Sequence, residues 1–206
     1  MSSTNRGYDR HKADYYVTPQ KCIREFLSVF LVDENIDRPD KINWLDPCAG
    51  GSEEDEMSYP AVIQSEFNAD VCSLDIREDS KADIIMDFLE ADKQNFLDHK
   101  IIITNPPFDI AEDIIKKSLE IAPEGGYVIM LLRLNFFGSA SRKALFEKQM
   151  PIRCYVHHKR ISFITDKQNA KRKAEGLKPL TADSIEYAHF VWKKGSYPKE
   201  TLLTVI

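Results

Sequence analysis

Four apolar runs in this 206-residue chain end in residues able to grip a small molecule or polarise a nitrogen. The most unusual is "KIIITNPPFD", where Ile101 to Thr104 run into Asn105, Pro106, Pro107 and Phe108. Two consecutive prolines fix φ and lack an N–H, so they end a strand ladder and hold the preceding asparagine extended. A stiff strand-to-helix turn would use the same residues. Another run ends in "DPCAGGS", Asp46 to Ser52, whose Cys48 and Gly50 lie in a turn tight enough to bring backbone against a ligand. Glycine turns close many strands, however. "SLDIRED" ends its run on Asp75, where an acid can hold the two hydroxyls of a ribose or simply face water. "MDFLE" offers Asp87 to accept from an adenine amino group and Phe88 to cover the ring, or to pack in a core.

These residues matter together only if the runs are neighbouring strands. Residues 19 to 32 place Cys22, Ile23, Phe26, Leu27, Phe30 and Leu31 on one helical face, with Pro19 acceptable in the first turn. The runs "KINWLD", "DVCSLD", "ADIIMD", "HKIIIT" and "GGYVIMLLR" then alternate with helical patterns such as 58–68 and 109–122. Continuous apolar strands separated by helices predict an α/β fold, a single doubly wound and mostly parallel sheet covered on both faces. After a short helix in "SRKALFEKQ", the runs "IRCYVHH" and "EYAHFVWKKG" read as neighbouring strands that finish the sheet, one of them antiparallel. In such sheets ligands sit outside the carboxyl ends of the strands, where all four polar clusters fall.

Composition bounds the rest. The first twenty residues are polar and no apolar run reaches bilayer length, so neither a signal peptide nor a membrane span is expected, and the cytoplasm is the expected compartment. Four scattered cysteines without a CxxC pair and five histidines without ligand spacing predict reduced thiols and no metal. The net charge of −5 is segregated: residues 1–140 hold 14 Lys and Arg against 27 Asp and Glu, whereas 141–206 hold 14 against 6. Such a basic end suits a polyanionic partner. Residues 1–14 read as a flexible arm, 15–206 as one domain, and 165–183 as a basic polar excursion within it.

One motif on each successive strand end resembles the S-adenosylmethionine-dependent adenine-N6 DNA methyltransferases, most closely the small phage-type members. "DPCAGG" is similar to their cofactor signature and "NPPF" to their catalytic tetrapeptide. "YYVTPQ" resembles their N-terminal element, which would put Thr18 and Pro19 beside the methionine end of the cofactor. "KRISF" resembles the element whose aromatic faces the target base, here Phe163, and "SIEYAHFVW" their closing strand. The order is the gamma-type arrangement. The chain departs from the family in the acid run Glu53 to Glu56 after the glycine turn and in having no separate recognition domain downstream.

The resemblance implies transfer of a methyl group from S-adenosylmethionine to the N6 amino group of a flipped-out adenine in double-stranded DNA, by a monomer, with a dimer left open. The Asn105 side-chain oxygen and the Pro106 carbonyl would each accept one amino hydrogen, draw the nitrogen toward tetrahedral geometry and free its lone pair. Phe108 and Phe163 would stack on the two faces of the base, while Tyr16 and Phe136 read as core. Lys159, Arg160, Lys171, Arg172 and Lys173 would contact phosphates, and Gln168 and Asn169 are the residues of the excursion best able to pair with an adenine edge. The adjacent His157 and His158 read as a solvated strand end. Two alternatives stay open: methylation of RNA or of a protein glutamine amide, and a catalytically silent protein that keeps the cofactor fold as a scaffold.

Overall fold

The computed structural model describes residues 16–164, 166–180 and 184–206. Helix α1 (Gln20–Asp33) opens it and buries the six residues expected of its apolar face. Pro19 stands just before the helix with extended ψ, and its carbonyl accepts the Cys22 N–H at 3.1 Å. The strands that follow are β1 (Trp44–Asp46), β2 (Val71–Asp75), β3 (Ile84–Ile85), β4 (Ile101–Thr104) and β5 (Tyr127–Arg133), with helix α2 (Ser58–Phe67) after β1 and α3 (Ala111–Ile121) after β4. Helix α4 (Lys143–Lys148) leads to β6 (Arg153–Val156), helix α5 (Asp166–Ala174), β7 (Tyr187–Lys193) and β8 (Leu202–Val205).

All eight strands form one sheet in the order β3-β2-β1-β4-β5-β7-β6-β8. Every pairing is parallel except those of β7, which runs antiparallel to both β5 and β6. The expected fold class is therefore observed, including the reversed strand near the C-terminus. From β1 the chain builds outward to β2 and β3, then returns to place β4 on the other side of β1, so the strand order reverses between β1 and β4. Loops diverge at that point and leave a crevice beyond the carboxyl ends.

Alternate strand residues supply two cores, one on each face. Trp44, Ile101, Ile103, Ile129 and Leu131 pack under α1 and α2. Leu45, Ile102, Val128, Met130 and Leu132 pack against α3 and the connections around it. That explains why β1, β4 and most of β5 read as unbroken apolar runs. The edges differ from expectation: β3 is only two residues long, with both side chains exposed, and β8 has no counterpart among the expected strands. Among the described residues no helix is long and apolar enough to cross a membrane, and all four cysteines are free thiols.

Candidate active site

Beyond the carboxyl ends of the parallel strands lies a cleft of about 770 Å³, counting its open mouth. Its lining brings together Thr18, Cys48, Asp75, Asp87, Phe88, Asn105 and Pro107, seven of the residues singled out from sequence. They come from five segments separated by as many as 89 positions along the chain, joined here by strand order alone.

The turn after β1 forms one wall. Gly50 and Gly51 have φ of +68° and +78°, in the left-handed region where a side chain is strained. A Cβ on Gly51 would also meet the Met57 Cγ at 2.7 Å. Asp75, at the end of β2, holds this turn: its Oδ2 accepts the Gly50 N–H at 2.8 Å and its Oδ1 the Arg77 N–H at 2.8 Å. Arg77, absent from the sequence reading, completes the clamp by donating to the Gly51 carbonyl at 2.8 Å while its Nε lies 3.3 Å from Asp75. Oδ2, with one donor, has room for another. Asp87 caps the short turn Phe88–Glu90 by accepting the Leu89 N–H at 2.9 Å through Oδ1. Phe88 is 3% exposed, so it belongs to the core and lines the cleft at once.

Asp46 lies behind this wall rather than in it. It is 1% exposed, and burial pushes its carboxyl up to about 7 against the opposing pull of Thr104 and the Cys48 N–H. Neither its Oδ2 nor the Thr104 hydroxyl closes a hydrogen bond of good geometry. Burial also raises the Cys48 thiol well above its usual value, which removes it as a nucleophile at neutral pH.

Asn105 forms the other wall. Its Nδ2 donates to the Thr18 Oγ at 3.0 Å, which fixes the amide plane, and its Oδ1 is buried without any hydrogen-bond partner. An unsatisfied buried carbonyl costs about 1–3 kcal/mol. The prolines behind it hold the acceptor in place, with Pro106 buried and Pro107 half-buried.

Beside Asn105 is an aromatic cluster that sequence foreshadowed only in part. Phe108 packs on Tyr187 at 5.9 Å and Phe163 on the same ring at 5.0 Å. The Tyr16 ring lies 6.3 Å from Phe108 at an interplanar angle of 22°, and 5.7 Å from Phe163. Tyr16 thus takes up space that a base between those two rings would need. It is a half-buried cleft residue, not the core residue expected, whereas Phe136 is core at 5% exposure. The Arg133 guanidinium stands over the Phe108 ring at 4.6 Å.

The basic residues lie outside the cleft. Lys159 and Arg160 are exposed, with Arg160 3.7 Å from Glu186. The excursion contains a helix: α5 exposes Lys171 and Lys173, and the Arg172 Nε donates to the Lys178 carbonyl. Lys167 donates to the Glu54 carbonyl, tying α5 to the acidic run. Asn169 makes two bonds with the backbone of Leu180 that close the loop, which removes it as a base reader. The flexible arm expected at 1–14 lies outside the described residues.

His157 is not a solvated strand end. It is 5% exposed, and its Nε2 lies 2.9 Å from the Nδ1 of the fully buried His189, whose Nε2 is 3.0 Å from the Tyr59 hydroxyl in the cleft lining. His189 stacks on Phe26 with ring centroids 4.0 Å apart. Burial holds His157 down at about 4 and His189 well below its usual value, so both rings are neutral at pH 7. His158, exposed beside it, bonds the Ile206 carbonyl.

No family model matches the sequence, and no curated protein matches it as a relative. Solved structures do match. A protein from Listeria monocytogenes assigned to the class I S-adenosylmethionine-dependent methyltransferases superposes with a TM-score of 0.54 at 13% identity, over 92% of this chain and 65% of that one. The type IIG restriction endonuclease BpuSI gives 0.57 at 12% identity, over 89% and 26%. The M protein of the type I restriction enzyme EcoKI, of class EC 2.1.1.72, gives 0.55 at 14% identity, over 98% and 50%. The chain therefore spans two thirds or less of the length of each of these proteins. Similarity at this identity is similarity of backbone, and on that ground the chain has the fold of the class I S-adenosylmethionine-dependent methyltransferases.

Proposed function

We propose that this chain binds S-adenosylmethionine in the cleft and methylates the exocyclic N6 nitrogen of an adenine flipped out of double-stranded DNA, as a small phage-type enzyme with gamma-type motif order. A fold of this kind serves many substrates, so the reading rests on the site. The observation that carries it is the Asn105 Oδ1, a buried acceptor without a donor on a residue that lines the cleft. A carbonyl kept in that state fits a ligand that brings an N–H to it.

The cleft residues fit the cofactor. The left-handed glycines of the turn let its backbone run against the cleft wall formed by Cys48 and Ala49, Asp75 Oδ2 retains acceptor capacity for a ribose hydroxyl, and Asp87 has a second oxygen to take an adenine amino group. By the resemblance, Thr18 and Pro19 would hold the methionine end and Phe88 the adenine end; Thr18 and Phe88 line the cleft, and Pro19 stands next to Thr18 outside the lining. When bound, S-adenosylmethionine supplies an electrophilic methyl group. The chain's part is to prepare the nucleophile: Asn105 Oδ1 and the Pro106 carbonyl accept the two amino hydrogens, which localises the nitrogen lone pair. Phe108 and Phe163 hold the extruded base by stacking, worth about 1–3 kcal/mol per base against an unstacking cost of about a few kcal/mol. The methylated nitrogen is acidic enough to lose its proton to water.

Double-stranded DNA as the partner is favoured by the basic residues downstream of the catalytic loop, Lys159, Arg160, Lys171, Arg172 and Lys173, and by two backbone neighbours that are restriction enzyme components. The test is titration calorimetry with S-adenosylmethionine. Asp87→Ala should weaken binding about 10- to 150-fold, the range of a hydrogen bond to a charged group. Asp75→Ala should weaken it at least as much, because the Gly50 turn also loses its tether. Wild-type affinity in both variants would overturn the cofactor assignment while leaving the fold intact.

A further inference from the structure

Arg133 ends β5 beside the catalytic tetrapeptide, and among the described residues it has no polar partner. Among the described residues, the other seven arginines each make a hydrogen bond or an ion pair: Arg24, Arg38, Arg77, Arg153 and Arg160 with carboxylates, Arg142 and Arg172 with backbone carbonyls. Arg133 makes neither, although it is half-buried and its Nε is shut off from solvent. Stacking does not account for this. Arg142 also stands over an aromatic ring, Phe136 at 4.1 Å, and still donates to the Phe136 carbonyl. A guanidinium Nε shut off from solvent without an acceptor is costly, and the planar fork of donors matches a phosphate.

Among the described residues no carboxylate pairs with Arg133. The nearest acids in sequence to the paired strand and the catalytic loop are Glu186, just before β7, which faces Arg160 at 3.7 Å, and the exposed Asp109. Phe108, the ring beneath the guanidinium, follows Asn105 by three positions, and Tyr187, paired with Arg133 across β5 and β7, touches both Phe108 and Phe163. Arg133 is thus fixed to the same cluster that would hold the base, within the acid-rich part of the chain.

We infer that Arg133 is a phosphate-binding residue of the DNA site, its guanidinium gripping a backbone phosphate next to the flipped adenine while its stack on Phe108 couples that grip to the position of the ring. This rests on the DNA reading above. It identifies a contact that positions the nucleotide at the reacting centre, separate from the lysines of α5, and it explains why the side chain has no internal partner.

The test uses the full chain with S-adenosylmethionine and a short duplex carrying one mispaired adenine, which fixes where extrusion occurs. Affinity is measured by fluorescence anisotropy across a range of salt for the wild type, Arg133→Met and Arg133→Lys. One lost phosphate contact should lower the slope of log affinity against log salt by about 0.9 in Arg133→Met and leave it unchanged in Arg133→Lys. In the wild type, an uncharged methylphosphonate at one of the two phosphates flanking the adenine should cost about tenfold in affinity, and that loss should vanish in Arg133→Met. If Arg133→Met does not fold, as read by melting and by cofactor affinity, the methylphosphonate duplexes on wild type and Arg133→Lys carry the test. An unchanged slope in a folded Arg133→Met overturns the inference, as does a wild type indifferent to both neutralised phosphates. A wild type that fails to bind any duplex overturns the DNA reading instead, and this inference with it.

Discussion

Replacing Asn105 with alanine should separate stability from catalysis. The substitution removes a buried carbonyl without a donor, which relieves about 1–3 kcal/mol of desolvation cost. It also removes the hydrogen bond from Nδ2 to the Thr18 Oγ, worth about 0.5–1.5 kcal/mol. The difference runs from about 0.5 kcal/mol destabilising to about 2.5 kcal/mol stabilising, so the folded state should not be markedly weakened. For a chain of this length about 1 kcal/mol moves the melting temperature by about 2–4 °C. Melting by calorimetry should therefore fall by no more than a few degrees. Methyl transfer, in contrast, loses a preorganised acceptor at the reacting nitrogen, an effect of about 100- to 1,000-fold in turnover by analogy with oxyanion donors. Cofactor affinity should stay nearly unchanged. A melting temperature lower by more than about 10 °C, or turnover within about tenfold of wild type, would show that Asn105 is there to hold the fold and not to activate a nitrogen.

Other consequences concern the base slot, the tail and the buried histidines. With a fluorescent base analogue at the target position, Phe163→Ala should reduce the extruded signal by removing a stacking wall, whereas Tyr16→Ala should raise it by emptying space beside Phe108 and Phe163; an unchanged signal in both would remove these rings from the base site. Replacing Lys171, Arg172 and Lys173 together with alanine should make DNA affinity less salt-dependent, by about 0.9 in slope for each side chain that touches a phosphate. An identical slope would mean that α5 stays off the duplex. His157 is held at about 4, below its unfolded value, so the unfolded state binds the extra proton between about 4 and 6.5 and stability is lost as pH falls through that window, at up to about 1.4 kcal/mol per unit. Asp46, raised to about 7, works in the opposite direction over an overlapping range, so the informative comparison is between proteins. Stability of His157→Gln should fall less steeply than wild type as pH drops from 6.5 to 4, and parallel curves would contradict the burial effect.

Local pattern made the parallel sheet and the cleft legible. Apolar runs such as "KIIIT" can only be strands buried on both faces, and the residues that end them must gather at one edge. Asp75, Asp87 and Asn105 are legible that way, whereas Thr18 is legible only through the resemblance of "YYVTPQ" to a family element. What depended on pairing across the sheet was not legible. The register that sets Arg133 opposite Tyr187 brings a guanidinium to the Phe108 ring, and no spacing within either strand announces it. His157 was misread because its partner, His189, is 32 positions away on the antiparallel strand. The helix α5 hid in a stretch whose strongly polar composition resembles a loop, since its support comes from Lys167 and from the Asn169 clamp on Leu180 rather than from an apolar face. β8 escaped because most of its side chains are exposed at the sheet edge, where apolar residues such as Leu202 and Leu203 give no burial pattern to read.

The most direct test of methyl transfer to adenine is to incubate the full chain with S-adenosylmethionine carrying an isotopically labelled methyl group, in separate reactions with duplex DNA, RNA and a glutamine-containing protein substrate, and to follow the label by mass spectrometry after complete digestion. The account requires labelled N6-methyldeoxyadenosine from the DNA reaction, absent when Asn105 is replaced by alanine. Label on RNA or glutamine with none on deoxyadenosine, or no transfer from a protein that binds the cofactor, would contradict it.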